Sequence, residues 1–329
     1  MKRMRRAALV LLTSLLAGGA ATHAAPLVNT FERPEADKPY ALAEWAADGW
    51  NAPWELGMDA RTLIDTRYAN SGDQSLRVFY PQGKFDPQDS GVLAPFALEP
   101  GQEYYLSYWV RFDENFSWGT TSYAGKLGLG LSGGGACSDG ETCTGYNGFN
   151  SRISWRSGGQ AAVYYYDMGN HSNYGQYVAL QLEGEDIYYP KDEWINIVQR
   201  LKVNTVKGGH AYPDGEIQVW YNGESAAHIT DLRFVRNRDK VDTAYFSTFF
   251  GGATAAFAPA GDSYAWYDDI TVSADPADIC ELRSEGCPAD PDQVRSDQAL
   301  PEQVLPEPFF SDHASARAVF SAFLHKILK

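Results

Sequence analysis

Between residues 25 and 275 the chain alternates apolar and polar positions in short runs that end at Gly, Pro, Asn or Asp. A period of two is typical of β-strands with one buried face. Strands are expected at residues 75–79, 91–98, 103–112, 125–131, 148–156, 161–167, 194–203, 216–221, 245–250 and 265–272. No helix is expected between them. The pattern predicts an all-β fold, a β-jelly roll or antiparallel β-sandwich, closed by pairing of a strand near Asn29 with one near Ile270.

The two ends of the chain differ from this pattern. Residues 1–24 are expected to be a secretory signal peptide, because basic residues precede a short apolar run that ends in small residues. The run is too short to span a membrane, so a secreted or periplasmic protein is expected, with residues 25–275 as its β-domain. Residues 276–308 are rich in Pro and acidic residues and predict a linker that contains one Cys pair. Residues 309–329 have the apolar spacing of an amphipathic helix, to which no role is assigned.

Residues 148–156 carry the most informative strand pattern. Successive side chains of a strand point to opposite faces. Asn150, Arg152 and Arg156 therefore share one face, and Ile153 and Trp155 share the other. The first face is polar and the second belongs in a core.

The next strand is expected to add two phenols to the polar face. Tyr164 and Tyr166 lie on the side of Arg152 only if opposed residue numbers sum to an even value. A three-residue loop of residues 158–160, with a glycine in the left-handed conformation, satisfies this condition. The sequence therefore predicts a bulged hairpin.

The strand at residues 125–131 is expected to turn its leucines inward and Lys126, Gly128 and Gly130 to the opposite face. Glycines there leave room for a ligand. Together the three strands would present a cation, an amide, a guanidinium and two phenols, without a carboxylate or a thiol. Such a set suits an anionic substrate.

Charge and cysteine content narrow the range of partners. The formal net charge is −15, which argues against nucleic acid, and no nucleotide or redox motif is present, so no cofactor is expected. Cys137 with Cys143, and Cys280 with Cys287, are expected to form local disulfides in an exported chain. Metal binding is the rival interpretation of these cysteines, and it is disfavoured because neither pair has CxxC spacing and no histidine lies close by in the sequence. Glu32 and Asp269 could hold a structural calcium, but ordinary surface carboxylates are the favoured interpretation.

The order of these residues resembles polysaccharide lyase family 14. The resemblance covers residues 30–272 and rests on Lys126, the segment 148–156, Tyr164 to Tyr166, Trp194 and the run Phe246-Ser-Thr-Phe-Phe-Gly-Gly252. Members of the family are alginate and glucuronan lyases with a β-jelly-roll fold. The resemblance implies a concave substrate groove and a catalytic set of Lys126, Asn150, Arg152, Tyr164 and Tyr166.

One position departs from the family pattern. Asn150-Ser151-Arg152 stands where Ser-x-Arg is expected, so either Asn150 replaces the serine or Ser151 does after a local shift. Strand parity favours Asn150, whose amide can still form hydrogen bonds. Arg156 and His171 are expected to contact substrate.

The chemistry of β-elimination accounts for these residue types. Removal of the C5 proton of a uronate builds negative charge on its carboxylate, which Arg152, Asn150 and Lys126 can stabilise. A base and an acid complete the reaction. A tyrosine can serve if nearby cations lower its pKa from about 10. Which of Lys126, Tyr164 and Tyr166 takes which role stays open.

The predicted function is cleavage of alginate or a related polyuronate by a secreted lyase. A non-catalytic carbohydrate-binding β-sandwich is the main alternative. A glycoside hydrolase ranks below both, because it needs two carboxylates about 5 to 10 Å apart and the tight acidic cluster at residues 183–186 reads as a loop. The sequence does not predict the uronate, endo or exo cleavage, or the oligomeric state.

Overall fold

The computed structural model describes residues 24–121, 125–138, 140–169, 174–252, 254–283 and 286–287. The strands, in chain order, are β1 (Leu27–Asn29), β2 (Thr62–Asp65), β3 (Ser75–Tyr80), β4 (Val92–Gly101), β5 (Glu103–Phe112), β6 (Gly125–Gly133), β7 (Phe149–Trp155), β8 (Ala161–Tyr166), β9 (Gln176–Ala179), β10 (Gln181–Leu182), β11 (Glu185–Asp186), β12 (Trp194–Lys202), β13 (Val206–Lys207), β14 (His210–Ala211), β15 (Gly215–Tyr221), β16 (Glu224–Leu232), β17 (Val241–Phe250) and β18 (Ser263–Ser273). Each predicted strand is present, with ends shifted by a few residues.

Short helices also occur, so the expectation of none is wrong. They are α1 (Leu42–Ala47), α2 (Met58–Arg61) and α3 (Asp86–Asp89), and 3-10 turns lie at Ser157–Gly159, Ala255–Phe257, Pro276–Asp278 and Cys280–Leu282. Helices of one turn or so are too short to show a helical period. Helix α1 is held by tertiary packing, because its Trp45 is buried against Phe96 and Phe246 of the smaller sheet.

Two large antiparallel sheets form the sandwich in the described part of the chain. The larger sheet has the order β16-β15-β12-β5-β18-β3-β2, with β1 paired to β18, and the smaller has the order β4-β17-β6-β7-β8-β9. Asn29 lies opposite Ile270, so the predicted pairing of first and last strands is confirmed. The all-β sandwich prediction is confirmed as well.

The core lies between the two sheets and is rich in aromatic side chains. Leu129, Ile153 and Trp155 enter it from the smaller sheet, and Tyr108 and Tyr267 enter it from the larger one; all five are fully buried. Burial of a large apolar side chain contributes about 1.5 to 3 kcal/mol. This core determines which face of the smaller sheet remains available for chemistry.

Both predicted disulfides are present, joining Cys137 to Cys143 and Cys280 to Cys287. The second begins at Cys280, the first residue of the last 3-10 turn. Just before it, Ile279 is buried against Tyr105 on the outer face of the larger sheet. The beginning of the predicted linker therefore lies on the sandwich. The rest of that linker, the predicted C-terminal helix and almost all of the predicted signal peptide lie outside the described residues. In the described part, none of the helices has the length and apolar character needed to cross a membrane.

Candidate active site

The face of the smaller sheet that points away from the core is called the site face here. Arg152 of β7 lies opposite Gly130 of β6 and Tyr164 of β8, and Asn150 lies opposite Tyr166. Since directly opposed residues share a face, these side chains belong to one surface. The structure thus brings together the arginine, the amide and both phenols that were predicted to share a face.

The β7–β8 connection confirms the predicted parity but shifts the loop by one residue. Trp155 lies opposite Ala161, and the backbone N–H of Arg156 donates to the carbonyl of Gln160 at 2.9 Å. The turn therefore consists of residues 157–159 rather than 158–160. Its two glycines have φ values of 72° and 86°, which only glycine adopts without strain.

The two phenols form a hydrogen-bonded pair. The hydroxyl oxygens of Tyr164 and Tyr166 are 2.8 Å apart, and the backbone N–H of Gly175 donates to the Tyr164 oxygen at 3.0 Å. The ring of Tyr177 stacks on Tyr164 with centroids 4.4 Å apart. Both site phenols are almost fully buried.

Burial raises the pKa of Tyr164 well above its usual value, and the adjacent Tyr166 phenol raises it further. The expectation that neighbouring cations lower this pKa is therefore wrong for Tyr164. Removing the phenol from water disfavours the phenolate, and this burial is the largest effect on the group. A neutral Tyr164 is a hydrogen-bond donor near neutral pH.

Lys126 lies among aromatic rings on the site face. Its Nζ is 5.1 Å from the centroid of Tyr164 and 5.7 Å from that of Phe249, distances at which a cation is attracted to a ring face. A side chain at Gly251 would begin 2.7 Å from this Nζ. The Phe-Phe-Gly-Gly run therefore supplies both a ring beside the ammonium and the space for it.

Gly128 does not lie on the site face, contrary to the prediction. The register of β6 against β7 shifts between Lys126 and Gly130, and a Cβ on Gly128 would point at the buried rings of Tyr108 and Tyr267. A β-bulge places consecutive residues on the same side and interrupts the alternation. Lys126 and Gly130 keep the predicted side; the side chain of Leu127 is outside the described residues.

Arg152 lies beside a third tyrosine, which the strand pattern did not predict as part of the site. Its guanidinium carbon is 5.5 Å from the centroid of Tyr245 on β17. A Cβ on Gly130 would come within 3.1 Å of both Arg152 and Tyr245, so this glycine allows the two side chains to meet. Burial raises the pKa of Tyr245, and the charge of Arg152 opposes that effect. Tyr245 lies opposite Gly130, which in turn lies opposite Arg152. This contact depends on the register between β17 and β6, which the sequence pattern does not give.

Asn150 rather than Ser151 occupies the site face. The amide nitrogen of Asn150 donates to the carbonyl of Cys137, whereas the hydroxyl of Ser151 accepts from Gln199 inside the sandwich. Asn150 is fully buried, and its amide oxygen has no hydrogen-bond partner among the described residues. The parity argument for Asn150 is confirmed for its position.

The Cys137–Cys143 disulfide packs directly against the site. Both cysteines form one buried cluster with Tyr164 and Tyr166. The carbonyl that fixes Asn150 also belongs to Cys137. The disulfide loop therefore supports the phenol pair and the amide from the same side.

The two expected substrate contacts have different outcomes. The guanidinium carbon of Arg156 is 5.4 Å from the ring centroid of Tyr177, which itself stacks on Tyr164. Arg156 thus belongs to the aromatic and cationic surface of the site face. His171 lies outside the described residues.

The family profile described as Polysaccharide lyase 14 matches residues 68–270. The chain belongs to polysaccharide lyase family 14. The predicted resemblance and the prediction of a polysaccharide lyase are confirmed. A search of curated proteins found no match.

Solved polysaccharide lyases share the fold of this family 14 chain. Alginate lyase Aly36B aligns with a TM-score of 0.62 and 25% identity over 75% of this chain and 96% of that chain. A double mutant of Aly36B in complex with an alginate trisaccharide gives a TM-score of 0.63 and 25% identity, over 75% of this chain and 97% of that one. The PL-14 alginate lyase from Aplysia kurodai, with a TM-score of 0.58 and 23% identity over 77% of this chain and 99% of that one, shows likeness of fold.

The acidic residues considered for calcium are held by loop hydrogen bonds in this family 14 lyase. Glu32 accepts from the backbone N–H groups of Asp73 and Gln74, and Asp269 accepts from Ser71 and Asn70. Both carboxylates therefore anchor the segment 70–74. A second acidic group, Glu281, lies near Cys280 and Cys287, but their sulfurs are joined in a disulfide and are not thiolate ligands.

Proposed function

We propose that this polysaccharide lyase is secreted and cleaves alginate or a related polyuronate by β-elimination, leaving an unsaturated uronate end. The observation that carries the proposal is the convergence of Lys126, Arg152, Tyr164 and Tyr166 on one face, with the two phenol oxygens 2.8 Å apart. Cations and proton-transfer groups are the two requirements of this reaction.

Arg152 is assigned to the uronate carboxylate. Elimination begins with loss of the C5 proton, and the resulting charge spreads onto that carboxylate. A guanidinium stabilises it with two parallel hydrogen bonds. The sequences of β6, β7 and β8 contain no Asp or Glu, so these central strands present no like charge to repel the substrate. Asn150 adds its buried amide oxygen, an acceptor for a sugar hydroxyl.

Tyr164 and Tyr166 are assigned to proton transfer. The raised pKa of Tyr164 keeps its hydroxyl protonated, which suits the group that donates to the departing 4-linked oxygen. Tyr166 is then the base, with its phenolate accepting the hydrogen bond from Tyr164. Lys126, 5.1 Å from the ring centroid of Tyr164, supplies positive charge that favours such a phenolate.

Two further observations support the substrate and the location. Aly36B, 25% identical, has been solved with an alginate trisaccharide bound, and an anionic sugar polymer suits the cations of the site face. Disulfides persist in oxidising compartments outside the cytosol, which agrees with the predicted signal peptide.

The test is ultraviolet absorbance over time, with purified protein lacking residues 1–24 added to polymannuronate, polyguluronate or glucuronan, with and without chelator. A rise with one polymer establishes elimination and names the uronate, because the reaction creates a conjugated 4,5-double bond. New reducing ends without a rise would indicate hydrolysis. Binding without either signal would favour the carbohydrate-binding alternative.

A further inference from the structure

A run of positive charge lies between β16 and β17. Four basic residues, Arg233, Arg236, Arg238 and Lys240, fall within eight positions of a chain whose formal net charge is −15. Residues 233–240, called the basic segment here, connect the larger sheet to the smaller one, because β16 ends at Leu232 and β17 begins at Val241.

The basic segment borders the site face at the end where Tyr166 and Asn150 lie. The backbone N–H of Met168, two residues after Tyr166, donates to the carbonyl of Arg233 at 2.8 Å. The N–H of Arg236 donates to the carbonyl of Gly145 at 2.8 Å, in the same loop as the Cys137–Cys143 disulfide. Two backbone contacts thus fix the segment against the elements that carry the candidate catalytic groups.

The arginines of the segment keep their charge available to an external anion. Arg233, Arg236 and Arg238 are exposed, and the ion pairs among the described residues all involve other cations. Asp239, the acid within the segment, instead accepts a hydrogen bond from Asn237 at 2.7 Å. An exposed guanidinium without a carboxylate partner retains its planar set of donors for a ligand carboxylate.

An exposed aromatic side chain adjoins these cations. Tyr146 follows Gly145 in the disulfide loop and is 64% exposed. A large ring with this exposure offers a stacking surface for the apolar face of a sugar. The boundary of the site face therefore combines donors for carboxylates with a surface for sugar rings.

We propose that Arg233, Arg236 and Tyr146 form a second binding site for a polyuronate chain, beyond the sugar that reacts. The inference rests on the proposed function, because it assumes that the substrate carries a carboxylate on every sugar. A chain held at Arg152 that continues past Tyr166 reaches the basic segment. The site strengthens binding of long chains and leaves the chemical step unchanged, and salt weakens its contribution.

The test compares Arg233→Gln/Arg236→Gln with the control Lys38→Gln/Lys191→Gln, which removes the same charge elsewhere. The backbone carbonyl of Lys38 accepts from Ile64 on β2, and Lys191 precedes Asp192, which pairs with Arg111 of the larger sheet. Glutamine keeps the methylene stem, and melting temperatures verify folding. Steady-state kinetics are measured on the accepted polymer and on its trisaccharide, at low and high salt.

For the arginine variant, kcat/KM on the polymer should fall about fivefold at low salt, as expected for two exposed charge contacts. The loss should shrink at high salt, and kcat and trisaccharide kinetics should match the wild type and the control variant. Equal losses on polymer and trisaccharide, or no loss on the polymer, would overturn the inference.

Direct titration of the polymers separates this inference from the proposed function. If the wild type turns over no polymer, the proposed function fails, and binding then decides: weaker polymer binding by the arginine variant supports the second site, and unchanged binding overturns it. If the protein binds no polyuronate at all, both proposals fail.

Discussion

The outer faces of the two sheets use the same kinds of cation in different ways. On the larger sheet, Arg200 bridges Glu103 and Glu216 at 2.7 and 3.0 Å, and Arg111 pairs with Asp192. These side chains form closed networks of opposite charge. The Arg200 pairs connect neighbouring strands, and each cation is compensated by a carboxylate.

On the site face, cations lie against aromatic rings, and the central strands β6, β7 and β8 contain no Asp or Glu. Lys126 contacts the ring of Tyr164, and Arg152 contacts that of Tyr245. A ring attracts a cation through its quadrupole without cancelling the charge.

On the larger sheet, Arg111 combines a ring contact, 4.1 Å from the centroid of Tyr68, with its pairing to Asp192. Composition alone therefore does not distinguish a structural arginine from one available to a substrate; the acidic residues around it do.

Removal of one hydroxyl from each face should give the largest contrast. Tyr166→Phe is expected to lower kcat by roughly 10²- to 10⁴-fold, the usual contribution of a general acid or base, with polyuronate binding retained. The matched control is Tyr105→Phe, whose hydroxyl donates to Glu103 at 2.6 Å on the larger sheet and which should keep wild-type turnover. Wild-type kcat in Tyr166→Phe would move the base to Tyr164 or Lys126.

Truncation of one arginine on each face should separate activity from stability. Arg152→Ala is expected to lower kcat/KM by about 10²-fold, because a charge-stabilising donor is lost, with little change in melting temperature. Arg200→Ala should leave kcat/KM unchanged and lower the free energy of unfolding by about 1 kcal/mol. Kinetics and urea unfolding measure both. If both variants lost activity and stability to the same extent, the proposed difference between the two faces would be wrong.

The two disulfides offer a similar comparison with a smaller effect on rate. Cys137→Ser/Cys143→Ser should lower kcat about tenfold, because the phenols and Asn150 lose their support and small misplacements of reacting groups are costly. Cys280→Ser/Cys287→Ser should leave kcat unchanged. Both variants should lose about 2 kcal/mol of unfolding free energy.

Calorimetry and single-turnover kinetics test this pair. Equal kcat in the two disulfide variants, at a temperature where both are folded, would show that the site disulfide only stabilises the chain.

Acid should weaken the ion pairs of the larger sheet, and the resulting loss of unfolding free energy should be the smallest of these effects. The pKa of Glu216 is lowered to about 2 by hydrogen bonds from Lys202, then His228 and Arg200. A lowered pKa stabilises the fold above the unfolded value of about 4.3, and this contribution disappears as the pH falls through about 2. Because the group is partly exposed, it is worth under about 1 kcal/mol.

The wild type should therefore be more stable than Glu216→Gln near pH 5, and this difference in unfolding free energy should shrink as the pH falls from about 5 to about 2. Urea unfolding at each pH measures the difference. A difference that stays constant across this range would show that the ion-pair network of the larger sheet is not coupled to protonation of Glu216.

Much of the hairpin could be predicted because alternation is a local property of the backbone. Arg152, Asn150 and the two phenols share a face whatever the rest of the chain does, once the parity of the turn is known. The predicted turn differs by one residue from the observed one, because Gly158 and Gly159 both tolerate positive φ and fit either position. Neither candidate turn could be excluded on sequence alone.

The sequence by itself determined the strands, the close Cys pairs and the side of the sheet on which each residue of β7 and β8 lies. Tertiary structure decided which distant neighbours complete the site: Tyr245 beside Arg152, Gly128 turned inward by a bulge, and the disulfide packed against the phenols. It also decided the direction of the Tyr164 pKa, because the folded chain removes this phenol from water. The physical reason is that strand alternation depends on adjacent residues, whereas register and burial depend on strands that come together from separate parts of the chain.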